Sequence, residues 1–463
     1  MGTGPSPGDP ASAFPLLPTD LIQYGMSVMQ TPYDSTRGAD TGRTLGEAIE
    51  AGLASDGGLF LPREIPSIEA ASLSTDSFVD MSLGVMEHWL AGTEFEHSWQ
   101  DIVMDALSFP VPMIPVDDDL FVCELFHGPT LSFKDFGART MARLLGDRLS
   151  RTGEERIILV ATSGDTGSAV ADGFAGIEGI NVVLLFPEGG VSEVQERQLI
   201  VDRPGVHAFR VEGSFDDCQR LVKTAFHHPA WSSLPLSTAN SINIARLLPQ
   251  MLYYWWAVLN LTRGMGVTQK PTVCVPSGNL GNITAGVLAH LSGMPVRGFR
   301  AAHNANDFFV RYLDSPDAKA SATVRTLSNA MDVGAPSNFE RLDAMLPGPA
   351  MGALISADAT MDKETLNAMT AIHERTGYVA DPHTAVGIRS VEEGRKAGVL
   401  QGPAIVMSTA HPAKFPETCQ RATGVVPEEP ERLSRLHNAP RLVADISADI
   451  EVLAEEVCRR TGF

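Results

Sequence analysis

Paired cysteines are missing from this chain. Its 463 residues hold five, Cys123, Cys218, Cys274, Cys419 and Cys458, odd in number, far apart and never as Cys-x-x-Cys. That excludes a disulfide frame and a Cys-rich zinc site, and points to reduced thiols in a cytoplasm. Positive charge is also short: 35 Lys+Arg against 56 Asp+Glu leave a net charge of −21. Nucleic acid and anionic membrane surfaces would be repelled, so neither is an expected partner. No apolar run reaches the roughly 18 residues of a membrane span. The longest candidate, Leu247 to Leu261, contains Pro249, Gln250 and Asn260 and reads as a buried helix. His-Glu-x-x-His is absent, and His127, His411 and the pair His227-His228 lack ligand spacing, so no metal is expected. The chain also lacks Gly-x-x-x-x-Gly-Lys-Ser/Thr, Gly-x-Gly-x-x-Gly with an acidic residue on the next strand, and any Gly-x-Ser-x-Gly outside the Gly- and Pro-rich start, where Gly4-Pro5-Ser6-Pro7-Gly8 is preceded by only three residues. These absences argue against P-loop hydrolysis, an esterase elbow and a dinucleotide oxidoreductase.

What is present suits a multidomain globular protein. Apolar residues make up 44% of the chain, enough for a sizeable core, and the length implies two or three domains at roughly 100–200 residues each. Met1 to Pro18 is rich in Gly, Pro and Ser without a basic n-region, so residues 1–23 are expected to be a disordered tail. Residues 24–117 are expected to form a mostly helical N-terminal domain, with Thr44 and Glu47 spaced as a capping box. The pattern then changes to strand, loop and helix. Arg156 to Thr162, Asn181 to Phe186, His207 to Val211, Thr272 to Pro276, Val296 to Ala301 and Ala404 to Ser408 read as buried strands, most of them followed by helical runs. Such repeats imply parallel sheets covered by helices, with ligands at the carboxyl ends of the strands.

Four stretches carry chemistry. Lys134 sits between Phe133 and Phe136, and an apolar wall lowers an amine's pKa toward the neutral form a covalent catalyst needs; the alternative is a surface lysine. Ser277-Gly278-Asn279-Leu280-Gly281-Asn282 lies between a strand and a helix, where glycines let backbone amides approach an anion such as phosphate; the alternative is an ordinary Gly-rich turn. Ser163-Gly164-Asp165-Thr166-Gly167 is a second such loop. Its hydroxyls and amides suit a carboxylate or phosphate, whereas Asp165 suits a hydroxyl or N–H beside it, or is only an N-cap. Thr409 ends the last strand, where its hydroxyl can donate to a ring nitrogen or simply close the strand. Lys414 reads as a solvated charge rather than a second donor.

Together these segments resemble the threonine synthase family. The resemblance rests on Phe126-His127-Gly128-Pro129-Thr130 with Phe133-Lys134-Asp135-Phe136, Ala161 to Gly167, Ala239 to Asn243, Pro276 to Gly281, Ser328 to Val333 and Thr409 to Phe415, in that order. Tyr33 to Gly38 and Gly57 to Pro62 resemble the family's opening domain. The resemblance implies an α/β fold: two parallel-sheet α/β domains with the cofactor at their interface, plus the helical N-terminal domain. The larger, cofactor domain would be 118–145 with 250–463, and the smaller 146–249. Pyridoxal 5'-phosphate would be held by Lys134, its phosphate by Gly278, Asn279, Leu280, Gly281 and Asn282. Thr409 would face its ring nitrogen, with Asp165 near its ring hydroxyl. The substrate implied is O-phospho-L-homoserine, converted with water to L-threonine and phosphate. Lys134 would move the protons, and Ser163, Thr166, Asn240 and Arg246 would bind the substrate. A monomer or homodimer in the cytoplasm is expected. The rival readings are a phospholyase or γ-replacement enzyme on a related amino acid, and a non-catalytic binding protein that keeps the fold.

Overall fold

The computed structural model describes residues 31–463; the expected tail, residues 1–23, and the first residues of the expected N-terminal domain lie outside the described residues. The strands are β1 Tyr33–Ser35, β2 Phe60–Pro62, β3 Met113–Asp117, β4 Leu120–Glu124, β5 Arg156–Ala161, β6 Ile180–Pro187, β7 Val206–Glu212, β8 Leu236–Ser237, β9 Thr272–Pro276, β10 Gly298–His303, β11 Ile355–Ala359, β12 Ala404–Ser408 and β13 Val443–Ser447. They form a two-stranded ribbon, a six-stranded sheet of order β11-β10-β9-β12-β4-β3, and a five-stranded sheet of order β13-β7-β6-β5-β8. Every pairing in the five-stranded sheet is parallel. In the six-stranded sheet only β3 runs antiparallel to its neighbour.

The central strands are continuous apolar runs because helices cover both faces. Ile157 to Ala161 on β5 and all of β9 and β12 are buried. Each sheet reverses its winding once. In the larger, β9 leads outward to β10 and β11 while β12 and β4 lie on the other side. In the smaller, β5 leads to β6 and β7 while β8 lies on the other side. Crevices open at such points, at the carboxyl ends of the strands.

The ribbon β1–β2 and the helices Leu45–Ala51, Phe78–Leu90 and Trp99–Ala106 are the main regular elements of the N-terminal region. Thr44 and Glu47 form the expected capping box on the first helix. Pro249 breaks the start of the expected helix Leu247 to Leu261, leaving Ile244–Leu247 and Gln250–Leu259 as separate helices, because proline donates no N–H. Two expectations change. β13 pairs with β7 and the helix Ile450–Thr461 packs beside it, so the end of the expected unit 250–463 belongs to the smaller sheet. β13 is a partly exposed edge strand and carries no buried apolar run. Second, Phe136 does not wall Lys134. Its ring lies in the core, 4.8 Å from Phe109, 5.0 Å from Tyr253 and 5.7 Å from Phe78, because residues two apart on a helix point to different sides. No helix among the described residues is long and apolar enough to cross a membrane.

Truncation of Phe136, fully buried at the centre of this cluster, is expected to cost about 3–5 kcal/mol. Urea unfolding of Phe136→Ala measures it; a midpoint unchanged from the parent would remove the cluster from the account of the core.

Candidate active site

Three adjacent strands, β9, β12 and β4, deliver three of the four chemical segments to one edge of the larger sheet. The segment after β4 is stitched to the segment after β12 by backbone bonds. Leu125 N–H donates to Ser408 C=O at 2.9 Å, Phe133 N–H to Thr409 C=O at 2.9 Å and His411 N–H to Leu131 C=O at 3.1 Å. Lys134 is therefore held beside Thr409, at the first position of the helix Lys134–Thr152. Thr409 is buried. Burial pulls the half-buried Lys134 ammonium from 10.5 down to about 8; the Asp165 charge opposes this, and those of Lys414 and Arg246 assist it. The Phe133 ring centroid lies 5.0 Å from Lys134 Nζ. A ring face attracts an ammonium, so Phe133 does not by itself neutralise the lysine.

The segment after β9 is an amide nest. The N–H groups of Gly278, Asn279, Leu280, Gly281 and Asn282 have no backbone acceptor among the described residues, and they precede or open the helix Gly281–Leu291. Positive charge at a helix start and converging N–H groups suit a phosphate. Gly278 is required here: a Cβ would meet Met331 Cα at 2.8 Å. Leu280 has a left-handed backbone, φ +60°, and the one other non-glycine residue so found among the described residues is Leu131, at φ +60° just before Lys134. Strain at both loops means that packing holds each shape in place. Asn279 contributes only its backbone, since its side chain donates to Ser241 Oγ at 2.6 Å and accepts from Ser337 N–H at 2.6 Å. Asn282 accepts at Oδ1 from Tyr253 and Tyr254, at 2.6 and 2.7 Å. Its Nδ2 is buried without a partner.

The fourth segment comes from the smaller sheet, after β5. Thr162 Oγ1 accepts from Gly164 and Gly167 N–H at 3.0 and 2.8 Å, and so does the capping that Asp165 might have done. Asp165 instead meets Lys414 Nζ at 2.6 Å, with side-chain exposures of 2% and 0%, and accepts from Gln195 Nε2 at 3.0 Å. Lys414 is thus no solvated charge: it crosses from the end of β12 to the smaller sheet and also donates to Thr130 C=O at 3.3 Å. Burial alone would raise the Asp165 pKa, but the Lys414 and Lys134 charges, with the bonds from Lys414 and Gln195, hold it well below the ordinary value. Ser163 and Thr166 stay half-buried on either side of Asp165.

Asn240 is half-buried, while Arg246 is buried. Arg246 donates through Nη1 to Ala239 C=O and leaves Nε without a partner. It lies against the Lys134 helix: a Cβ on Gly137 would meet Arg246 Nε at 2.9 Å. Burial lowers its pKa to about 10. Its charge also bears on Lys134, helping to lower that amine's pKa. Sequence reading missed Tyr253, Tyr254 and His383. Paired tyrosines in the apolar run 251–259 were a signal, because a buried phenol needs a partner.

The residues suit a phosphorylated aldehyde cofactor. An amine with lowered pKa, an amide nest without acceptors and the unpartnered Nδ2 of Asn282 are the groups it would use. Among the described residues no cluster of His, Cys, Asp or Glu could hold a metal ion.

Comparison with known proteins agrees with this chemistry. The pattern of the family described as "Pyridoxal-phosphate dependent enzyme" matches residues 111–409, "Threonine synthase N terminus" matches 32–107 and "Threonine synthase, C-terminal" matches 384–457. The chain is 38% identical to threonine synthase of Haemophilus influenzae over 414 residues, 89% of this chain and 95% of that one. Against threonine synthase of Escherichia coli K12 the identity is 36% over 412 residues, 88% and 94% of the two chains. The crystal structure of PLP-bound threonine synthase from Brucella melitensis superposes with a TM-score of 0.86 at 34% identity, covering 92% of this chain and 99% of that one. The yeast threonine synthase structure gives a TM-score of 0.84 at 31% identity, covering 93% and 98%.

Removing one partner of a buried ion pair leaves the other charge stranded, so Lys414→Met is expected to destabilise by about 3–5 kcal/mol. Lys414→Met/Asp165→Asn should recover most of this, since the asparagine still accepts from Gln195. Asp165 titrates below its unfolded value of 3.8, so the pair stabilises fully above that pH and its contribution fades as pH falls further. Thermal melts of the two variants decide it; equal losses in single and double would refute the stranded-charge account.

Proposed function

The chain belongs to the threonine synthase family of pyridoxal-phosphate-dependent enzymes, and from that premise we propose that it converts O-phospho-L-homoserine and water to L-threonine and phosphate, with Lys134 as the mobile base. It is a pyridoxal-phosphate-dependent lyase. The observation that carries the proposal is the arrival of Lys134, the amide nest and Thr409 after three adjacent strands, at the sheet's point of reversal. Lys134 would bear the cofactor. The amides of 278–282 and Asn282 Nδ2 would hold its phosphate, Thr409 would meet its ring nitrogen, and Asp165 would lie on its opposite side. When bound, the cofactor supplies an electron sink for charge developing on substrate carbon.

The rest is the work of the chain's own groups. A lysine with a pKa of about 8 is partly neutral near pH 7, so it accepts a proton at Cα and returns protons further along the substrate. A Cβ–H bond and the Cγ–O bond to phosphate break, a C–H bond forms at Cγ, and water then adds its oxygen to Cβ while a proton returns to Cα. A substrate phosphate needs a site apart from the nest. Ser163, Thr166 and Asn240 are proposed for it, with Arg246 adding positive charge from behind the lysine helix. Thr409 offers a neutral hydroxyl rather than an acid, which leaves proton transfer chiefly to Lys134. Five cysteines without a disulfide are in keeping with a cytoplasmic location.

Purified protein given O-phospho-L-homoserine should release threonine and phosphate in equal amounts, and Lys134→Ala should abolish both. 2-Oxobutyrate as the main organic product would overturn the synthase reading in favour of a phospholyase. Borohydride reduction followed by peptide mass spectrometry should find the cofactor on Lys134. The rate of cofactor capture by stripped protein should rise with pH through about 8, and a midpoint near that of free lysine, about 10.4, would refute the enclosed-amine argument.

A further inference from the structure

One loop faces the nest at close range and walls it. That loop is Ser328–Val333, whose Met331 backbone lies so close to Gly278 that no Cβ fits between them. Its own bonds are short-range: Met331 N–H donates to Ser328 C=O at 2.9 Å and Asp332 N–H to Asn329 C=O at 3.1 Å. One side of the loop is tied by Asn304 Nδ2, which donates to Asp332 Oδ1 at 2.8 Å and to Ser328 Oγ at 3.1 Å. The other side meets His383, whose Nε2 accepts the Ala330 N–H at 3.2 Å.

His383 is placed with care. Its Nδ1 lies 2.7 Å from Asp381 Oδ1, and the two side chains are 1% and 0% exposed. The carboxylate takes the Nδ1–H, which leaves Nε2 as the acceptor Ala330 needs. Asp381 is itself fixed as the N-cap of the helix Pro382–Lys396, accepting from His383 and Thr384 N–H at 2.9 and 3.3 Å. The Thr384 hydroxyl reaches on to Ser408 Oγ at 2.6 Å, the residue before Thr409. The same capped helix start therefore touches the strand end that carries Thr409 and the loop that backs the nest.

We propose that His383, oriented by Asp381, is a positioning residue for phosphate binding: through the Ala330 N–H it holds the Ser328–Val333 loop against Gly278 and keeps the nest amides converged. This rests on the reading that the nest takes the cofactor's phosphate. Loss of His383 then weakens a phosphorylated ligand selectively, because the lysine and Thr409 are stitched to each other by bonds that do not pass through this loop.

The full chain, stripped of cofactor, is titrated with pyridoxal 5'-phosphate and separately with unphosphorylated pyridoxal, following absorbance. Wild type is expected to prefer the phosphorylated form strongly. His383→Asn keeps a donor to Asp381 but has no atom at the Nε2 position; it should lower the preference about ten-fold, the scale of one lost buried hydrogen bond, chiefly by faster release of the phosphorylated form. His383→Gln, which can place an oxygen near the Nε2 position, should recover most of it. Unchanged preference in folded His383→Asn, or equal weakening of both ligands, overturns the proposal. Equal binding of both ligands by wild type would instead overturn the nest reading beneath it. If His383→Asn does not fold, Ala330→Pro removes the donated N–H from the loop side and is judged by the same two criteria.

Discussion

An ammonium and a carboxylate 2.6 Å apart, both shut away from water, join the two sheets at the cleft. Neither Lys414 nor Asp165 would be tolerated alone at such depth, since an isolated buried charge is far more costly than a paired one. The pair is therefore a conditional bond: each charge requires the other to be in place, and so each sheet requires the other's loop. Gln195 and Thr130 satisfy further donors and acceptors around it, so that a strand end, a loop and a helix of different origin share one polar knot. Lys134 lies within the field of this knot. Its own charge is disfavoured by burial and by Lys414 while Asp165 offsets part of the effect. The charge state of Lys134 and the junction of the two sheets are consequently one electrostatic problem rather than two.

Near that knot the backbone presents a row of N–H groups without backbone acceptors among the described residues. The amides of Gly278 to Asn282 carry no side-chain signature beyond the glycines, and the strained turns at Leu131 and Leu280 show that packing, not local preference, sets their shape. Such a site has little of its own to reorganise when a phosphate arrives, because its donors already converge. The helix Gln250–Leu259 serves it from behind. Its two tyrosines turn Asn282 so that the amide end is left for a ligand.

Legibility in the sequence followed physical range. Buried parallel strands such as β5, β9 and β12 were readable because burial on both faces demands an unbroken apolar run. Capping boxes were readable because they are local, as at Thr44 and Glu47. Edge strands were not: β11 and β13 are half-solvated, and only their partners make them strands. Side-chain roles divided the same way. Lys134 and the Gly-rich loop stood out by composition. Lys414 was misread as solvated because its partner lies 249 positions away. Phe136 was misplaced because adjacency in sequence does not mean the same face of a helix. His383 went unnoticed because its importance comes from the loop it touches, although Asp381-Pro382 ahead of it marks a helix start.

The edge strand β13 also bears on how the molecule is made. Its partner β7 ends at Glu212, yet β13 itself begins at Val443. During synthesis the smaller sheet can assemble β5 to β8 early, but one side of β7 stays unpaired until most of the remaining chain has emerged. An open parallel edge of buried residues such as Ala208 and Phe209 is a template for the wrong neighbour. The nascent protein thus carries a long interval in which the β7 edge is open to pairing with another chain.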